Sequence, residues 1–172
     1  TIACIIIALY INGIVTAKQG WSLFSIAPVP ELLWIFFDRR LWSMKILRSF
    51  MPPNLNGEWN GICRAEHDDE QHEIKLIITQ TFSKICVISN SRRVDSPSRT
   101  ASIERNHGNS WQLVYTWAGT FKSNAPQQGN VLGATFLWII HGNNELRGEY
   151  ISCGQRLTKG TISVRKGSSN DF

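Results

Sequence analysis

The stretch His67-Asp68-Asp69-Glu70-Gln71-His72-Glu73 packs two imidazoles and four carboxylates into seven residues, the side-chain types that hold metal ions. Its spacing matches no zinc-site or metallohydrolase pattern, and it falls where a turn is expected. It therefore reads as a solvated acidic loop, and no metal is expected. No serine sits in a strand–turn–helix elbow, and no glycine-rich phosphate loop leads into a helix. Neither catalysis nor a cofactor is expected. The residues left with chemistry to offer are flat or polar. Tyr115, Trp117, Trp138 and Tyr150 could stack nucleobases, and Ser89 and Ser102 could supply hydroxyls. Arg147, which alternation points outward, could meet a phosphate near a barrel rim. Taken singly, each aromatic also reads as core filling.

These residues need strands to position them. Met51-Pro52-Pro53-Asn54 stops any helix, and segments of alternating polarity broken by turn signals follow. Eight strands are expected over 55–65, 72–82, 84–92, 99–106, 111–121, 131–141, 145–152 and 158–166. No segment is long and helix-periodic enough to serve as a crossover, so the strands should be antiparallel neighbours. The fold class is therefore all-β, an eight-stranded antiparallel up-and-down, lipocalin-like barrel over 54–166, with 167–172 a polar tail. A β-sandwich is the alternative. Alternation places Trp59, Cys63, Ile74, Leu76, Ile78, Ile85, Val87, Leu113, Tyr115, Trp117, Tyr150, Ile162 and Val164 inside. The segment around Phe136 is apolar on both faces. Aromatic size there argues for Phe136 and Trp138 inside, with Leu137 and Ile139 outward. Cys4, Cys63, Cys86 and Cys153 show no metal spacing and read as reduced, small apolar residues.

Ahead of the barrel the character changes. Residues 2–16 and 21–37 are dense in Ile, Leu, Phe and Trp and read as two membrane-spanning helices, interrupted by Asn12, Pro28, Pro30 and Glu31. Glu31 reads either as a carboxylate at membrane depth facing a partner, or as the first turn of a helix beyond an interfacial bend. Arg39, Arg40, Lys45 and Arg48 follow the second run, in a basic juxtamembrane helix reaching to about residue 50, whereas only Lys18 lies between the runs. That asymmetry puts both ends of the hairpin, and the barrel, in the cytoplasm. The net charge of +5 owes much to this junction. A protein binding polymeric DNA or RNA would instead carry a basic stripe across its folded domain.

The two apolar segments, the Pro53-Asn54-Leu55-Asn56-Gly57-Glu58-Trp59-Asn60-Gly61 opening and the small barrel together resemble the two-transmembrane β-barrel effectors of bacterial CBASS anti-phage systems. The resemblance spans nearly the whole chain as architecture, and residues 55–61 are its most specific piece. It implies a protein of the cell inner membrane that binds a cyclic dinucleotide or oligonucleotide in its barrel. It further implies homo-oligomerisation, membrane disruption and abortive infection, with Glu31 acting in the membrane step. Lipocalins share the Gly57-Glu58-Trp59 pattern. They supply the alternative, a membrane-tethered binder of a lipid or other apolar ligand.

Overall fold

The computed structural model describes residues 28–44, 51–67, 71–92, 94–106, 110–122, 130–154 and 157–167. Helix α1 (Pro28–Arg39) is followed by a 3-10 turn at Leu41–Ser43 and then by eight strands. These are β1 (Gly57–Ala65), β2 (Gln71–Gln80), β3 (Ile85–Ser91), β4 (Val94–Arg105), β5 (Trp111–Phe121), β6 (Asn130–Ile140), β7 (Glu145–Cys153) and β8 (Leu157–Lys166). Each strand pairs antiparallel with the next, and β8 returns to β1, closing the barrel in simple sequence order. Closure removes the free edges that a sandwich would leave, and the expected up-and-down barrel is the observed one.

The two ends of the barrel differ. At the end where β1 begins, Leu55, Trp59, Leu76, Val87, Leu113, Leu137, Leu146 and Val164 are fully buried and fill the lumen. Below them the approach segment folds across as a floor. Gln80, the last inward residue of β2, accepts from the Leu55 amide at 2.8 Å and donates to the Pro53 carbonyl at 3.1 Å. Asn56 pairs with the Gln80 backbone in both directions, at 2.7 and 2.6 Å. The Trp59 indole N–H reaches the Leu55 carbonyl at 2.9 Å, and the Lys166 ammonium lies over the Trp59 ring. The Leu-Asn-Gly-Glu-Trp opening is thus a stopper built around satisfied polar groups. Residues 55 and 56, expected as strand, belong to this floor.

Two expectations about facing are corrected. In β4 the register against β5 shifts between Ser98 and Thr100, so Arg99 and Thr100 are both exposed and the parity reverses beyond them. Ser102 therefore points outward, where its hydroxyl donates to the Glu104 carboxylate at 2.8 Å. In β6 it is Val131, Thr135, Leu137 and Ile139 that face the lumen, while Phe136 and Trp138 face out and Trp138 is 40% exposed. The crowded lower lumen accepts aliphatic side chains there, with Leu137 set between Leu113 and Gly148. β4 also starts at Val94, five residues earlier than expected.

The twelve-residue α1 begins at Pro28, which places both prolines and Glu31 in its first turn, where proline needs no donor and a carboxylate suits the helix N-terminus. The helix thus starts four residues before Leu32, and the expected bend at Pro28 to Glu31 is its first turn. Val29 and the run Leu32 to Phe36 are exposed. Among the described residues no helix is long and apolar enough to cross a membrane. The segment 2–16, residues 21–27 of the second segment, the basic residues Lys45 and Arg48, Cys4 and Asp68 to Glu70 lie outside the described residues. Among the described residues Cys63, Cys86 and Cys153 form no disulfide; Cys63 and Cys86 are half-buried and Cys153 is exposed.

α1 meets the barrel at the β2–β3 turn, on the stoppered end. The Asp38 carbonyl accepts from the Phe82 amide at 2.9 Å, and its carboxylate accepts from the Ser83 amide at 2.7 Å. Trp34 and Phe37 pack edge-on against Phe82. Hydrogen bonding from the Ser83 side chain, with its amide and Thr81, holds the Asp38 carboxyl below its ordinary 3.8 despite some desolvation. A lowered carboxyl stabilises the contact above the ordinary value and ceases to do so as pH falls through the lowered one. The protection of the Phe82 and Ser83 amides, measured as hydrogen-exchange rates relative to those of an unstructured peptide at the same pH, should therefore be full at pH 5 and fall below about pH 3.8. Gln80→Leu strands the Leu55 amide and the Pro53 carbonyl, and should cost about 1–3 kcal/mol in urea denaturation. Trp59→Ala should cost about 3–5 kcal/mol in the same measurement.

Candidate ligand-binding site

Above the stopper the barrel is hollow. A cavity of about 200 Å³, room for on the order of a dozen waters, is lined by the far halves of the strands and opens at the β1–β2, β3–β4, β5–β6 and β7–β8 end. Among the described residues the site is a cup whose rim lies at this end of the barrel. Four of the seven expected ligand residues meet there: Ser89, Tyr115, Trp117 and Tyr150. The other three do not. Ser102 and Trp138 are on the outer wall, as described above. Arg147 is Trp138's cross-strand partner on that wall, held by Glu145 at 2.6 Å. Glu31, assigned to a membrane role, lies on α1, outside the cup.

The cup exists because two of its aromatics lie against glycine. Trp117 is directly opposite Gly133 and Tyr150 is opposite Gly160. A Cβ at Gly133 would run into the Trp117 ring, and one at Gly160 into the Tyr150 ring and the Arg64 carbonyl. Without those side chains the rings lie along the wall instead of crossing the lumen. The Trp117 indole N–H then donates to the Thr135 hydroxyl at 3.0 Å. Tyr115 forms the base of the cup, almost fully buried. Burial pushes its phenol above the ordinary value, while hydrogen bonds with Thr135 and Ser89 act the other way. Tyr115 is therefore a neutral hydrogen-bonding group at physiological pH. The Ser89 hydroxyl donates to the Ser96 carbonyl at 3.3 Å, tying β3 to β4 across a ladder of only three register pairs.

Sequence reasoning missed His72, Arg92, Ser96, Thr135 and Ser152, all of which line the cup. Ser152 was within reach, because alternation from Tyr150 leads to it, whereas Thr135 was lost with the reversed facing assigned to β6. Ser96 was hidden by the late start assigned to β4. His72 was grouped with the acidic loop, yet β2 begins at Gln71 and turns His72 inward opposite Cys63. Among the described residues no cluster of metal-ligating side chains occurs. The described lining holds no Asp, Glu or Lys. Hydroxyl, phenol, indole and imidazole groups dominate its polar surface. Set among the apolar side chains of Ile74, Val94, Phe121, Val131 and Ile162, these groups can hold a ligand with flat, hydrogen-bonding parts.

Residues 50–166 match the family model described as "Cap15, cyclic dinucleotide receptor domain". The chain belongs to this family. It is also similar to the CD-NTase-associated protein 15 of Yersinia aleksiciae, 28% identical over 160 residues, covering 91% of this chain and 76% of that protein. The protein of the same description from Staphylococcus schleiferi is 25% identical over 140 residues, covering 80% and 75% respectively. The Cap15 match accords with the resemblance to CBASS barrel effectors carried by residues 53–61. The Cap15 barrel is thus both a closed eight-stranded wall and a cup. Gly133→Ala should push Trp117 off the wall of this cup. Loss of roughly 1–3 kcal/mol in urea denaturation, with an altered tryptophan emission spectrum, is the expected result.

Proposed function

We propose that this Cap15-family chain is a membrane-anchored sensor in bacterial anti-phage defence, whose barrel cup binds a cyclic dinucleotide or oligonucleotide. The observation that carries this reading is the cup itself: aromatic faces laid flat on glycines, a ring of hydroxyls, and no carboxylate in the described lining. Membership of a cyclic dinucleotide receptor family supplies the ligand class. The role is sensing and assembly, with no catalytic step.

The anchor in this proposal is the pair of apolar segments at 2–16 and 21–37, set in the inner membrane with the barrel in the cytoplasm. α1 joins the barrel at its stoppered end, so an anchor continuing from it would leave the mouth facing away from the bilayer, open to a soluble ligand. Ligand binding would favour an oligomeric state, and clustered anchors would then disrupt the membrane and abort the infection. Weak membrane contacts multiply when several are held together. Exposed Leu132, Ile151 and Leu157 on the outer faces of β6, β7 and β8 offer apolar surface for such assembly. Glu31 would serve the disruption step.

Thermal unfolding of the detergent-solubilised chain tests the ligand. A cognate cyclic dinucleotide at a hundred times its Kd should add about 2.7 kcal/mol, raising the midpoint by roughly 10 °C. Ser96→Leu, which fills the cup, should abolish the rise, whereas Trp138→Ala on the outer wall should leave it intact. Stabilisation by a fatty acid and by none of cyclic di-AMP, cyclic di-GMP and cyclic GMP–AMP would instead favour an apolar-ligand carrier.

A further inference from the structure

The described lining of the cup contains two side chains able to carry positive charge, His72 and Arg92, and no carboxylate. Both sit at the mouth. His72 is the second residue of β2, and Arg92 immediately follows β3. The register pairs Ile74 with Ser91, so His72 and Arg92 lie at nearly the same height on adjacent strands. Deeper in the lumen the lining becomes the neutral hydroxyls and rings of Ser89, Tyr115, Trp117 and Thr135. Polarity is therefore graded along the axis, cationic at the rim and neutral with flat faces below.

We propose that Arg92 and His72 form a phosphate clamp at the rim, which orients the ligand with a nucleobase down the cup and its phosphodiester at the mouth. The assignment rests on the nucleotide reading of the cup. A guanidinium offers a planar fork of donors that matches two phosphate oxygens, and an imidazole adds a third donor from the neighbouring strand. The opposite orientation would take phosphate charge into a region without a cation, at a desolvation cost that neutral hydroxyls offset poorly. The turn that carries Arg92 is itself secured. The Lys122 ammonium donates to the Ser91 carbonyl at 2.8 Å and pairs with Asp95 at 2.9 Å. The Ser91 hydroxyl and Val94 exchange two further bonds, at 2.9 and 3.0 Å. Arg92 is thus an exposed side chain on a braced turn, placed without needing the interior to rearrange.

Because the clamp lies at the rim, the cup cannot grip the two halves of a cyclic dinucleotide equivalently. One nucleotide is inside and the other is at the rim. Base selectivity should therefore be strict at one position and loose at the other.

Isothermal titration of the full chain in detergent with cyclic di-AMP, cyclic di-GMP and cyclic GMP–AMP tests the clamp. Arg92→Gln and His72→Gln should each weaken binding of the cognate compound at least tenfold. Arg92→Gln should also make the affinity less sensitive to added salt, and Arg92→Lys should restore part of both. Arg99→Gln, on the outer wall, should change neither. The unfolding midpoint of the unliganded variants should match the parent, which separates lost contact from lost fold. If the parent binds and both Gln variants bind equally well with the same salt dependence, the phosphates are held elsewhere while the nucleotide reading stands. If the parent binds none of the compounds, clamp and nucleotide reading fall together.

Discussion

The Gln80 side chain holds the stopper in place, and the cup depends on the stopper. An eight-stranded barrel has an interior just wide enough for side chains to fill, so a hollow half requires the other half to be sealed and firm. Gln80 stands at the end of β2 and faces the lumen from below, buried with both amide functions satisfied by the chain crossing beneath it. Left unpaired, its amide would carry a desolvation penalty comparable to a whole core contact. Paired, it pins residues 53–56 across the opening and brings Trp59 and Leu55 into the space above. The aliphatic packing of the lower barrel follows from that closure.

The upper half is organised by what is missing. Gly133 and Gly160 remove the side chains opposite Trp117 and Tyr150, and the rings lie back along the strands. The same aromatics on a wall of valines would cross the lumen and fill it. Whether an inward aromatic is core or binding surface is thus decided one strand away, at its cross-strand partner. This explains how the cup and the hydrophobic core share one set of strands with no boundary between domains.

Much of this was legible in the residues. Alternation placed Ile74, Leu76, Ile78, Val87, Leu113, Tyr115 and Val164 correctly, because on each of their strands the larger apolar side chains fall mainly on one face. It failed where pattern gave no parity. β6 is apolar on both faces, and aromatic size misled because the lower lumen has room for Leu137 but not for Trp138. It failed again at β4, where one irregularity between Ser98 and Thr100 reverses every residue beyond it and carries Ser102 outside. Arg92 and His72 were concealed for a different reason. Each stands at a strand end beside a run of like-natured residues, and only the barrel's closure shows that those ends gather around one opening.

The contact between α1 and the β2–β3 turn fixes a rotation as well as a position. Asp38 holds two successive amides of that turn, and Phe82 is wedged against Trp34 and Phe37. A single pivot would let the barrel spin about its own axis. Two hydrogen bonds and an aromatic wedge set off-axis at one turn do not. Every copy of the chain therefore carries its barrel at the same azimuth relative to its helix. Side-by-side copies with aligned helices would present the same sector of wall to one another, so the geometry of any array would already be set in the single chain.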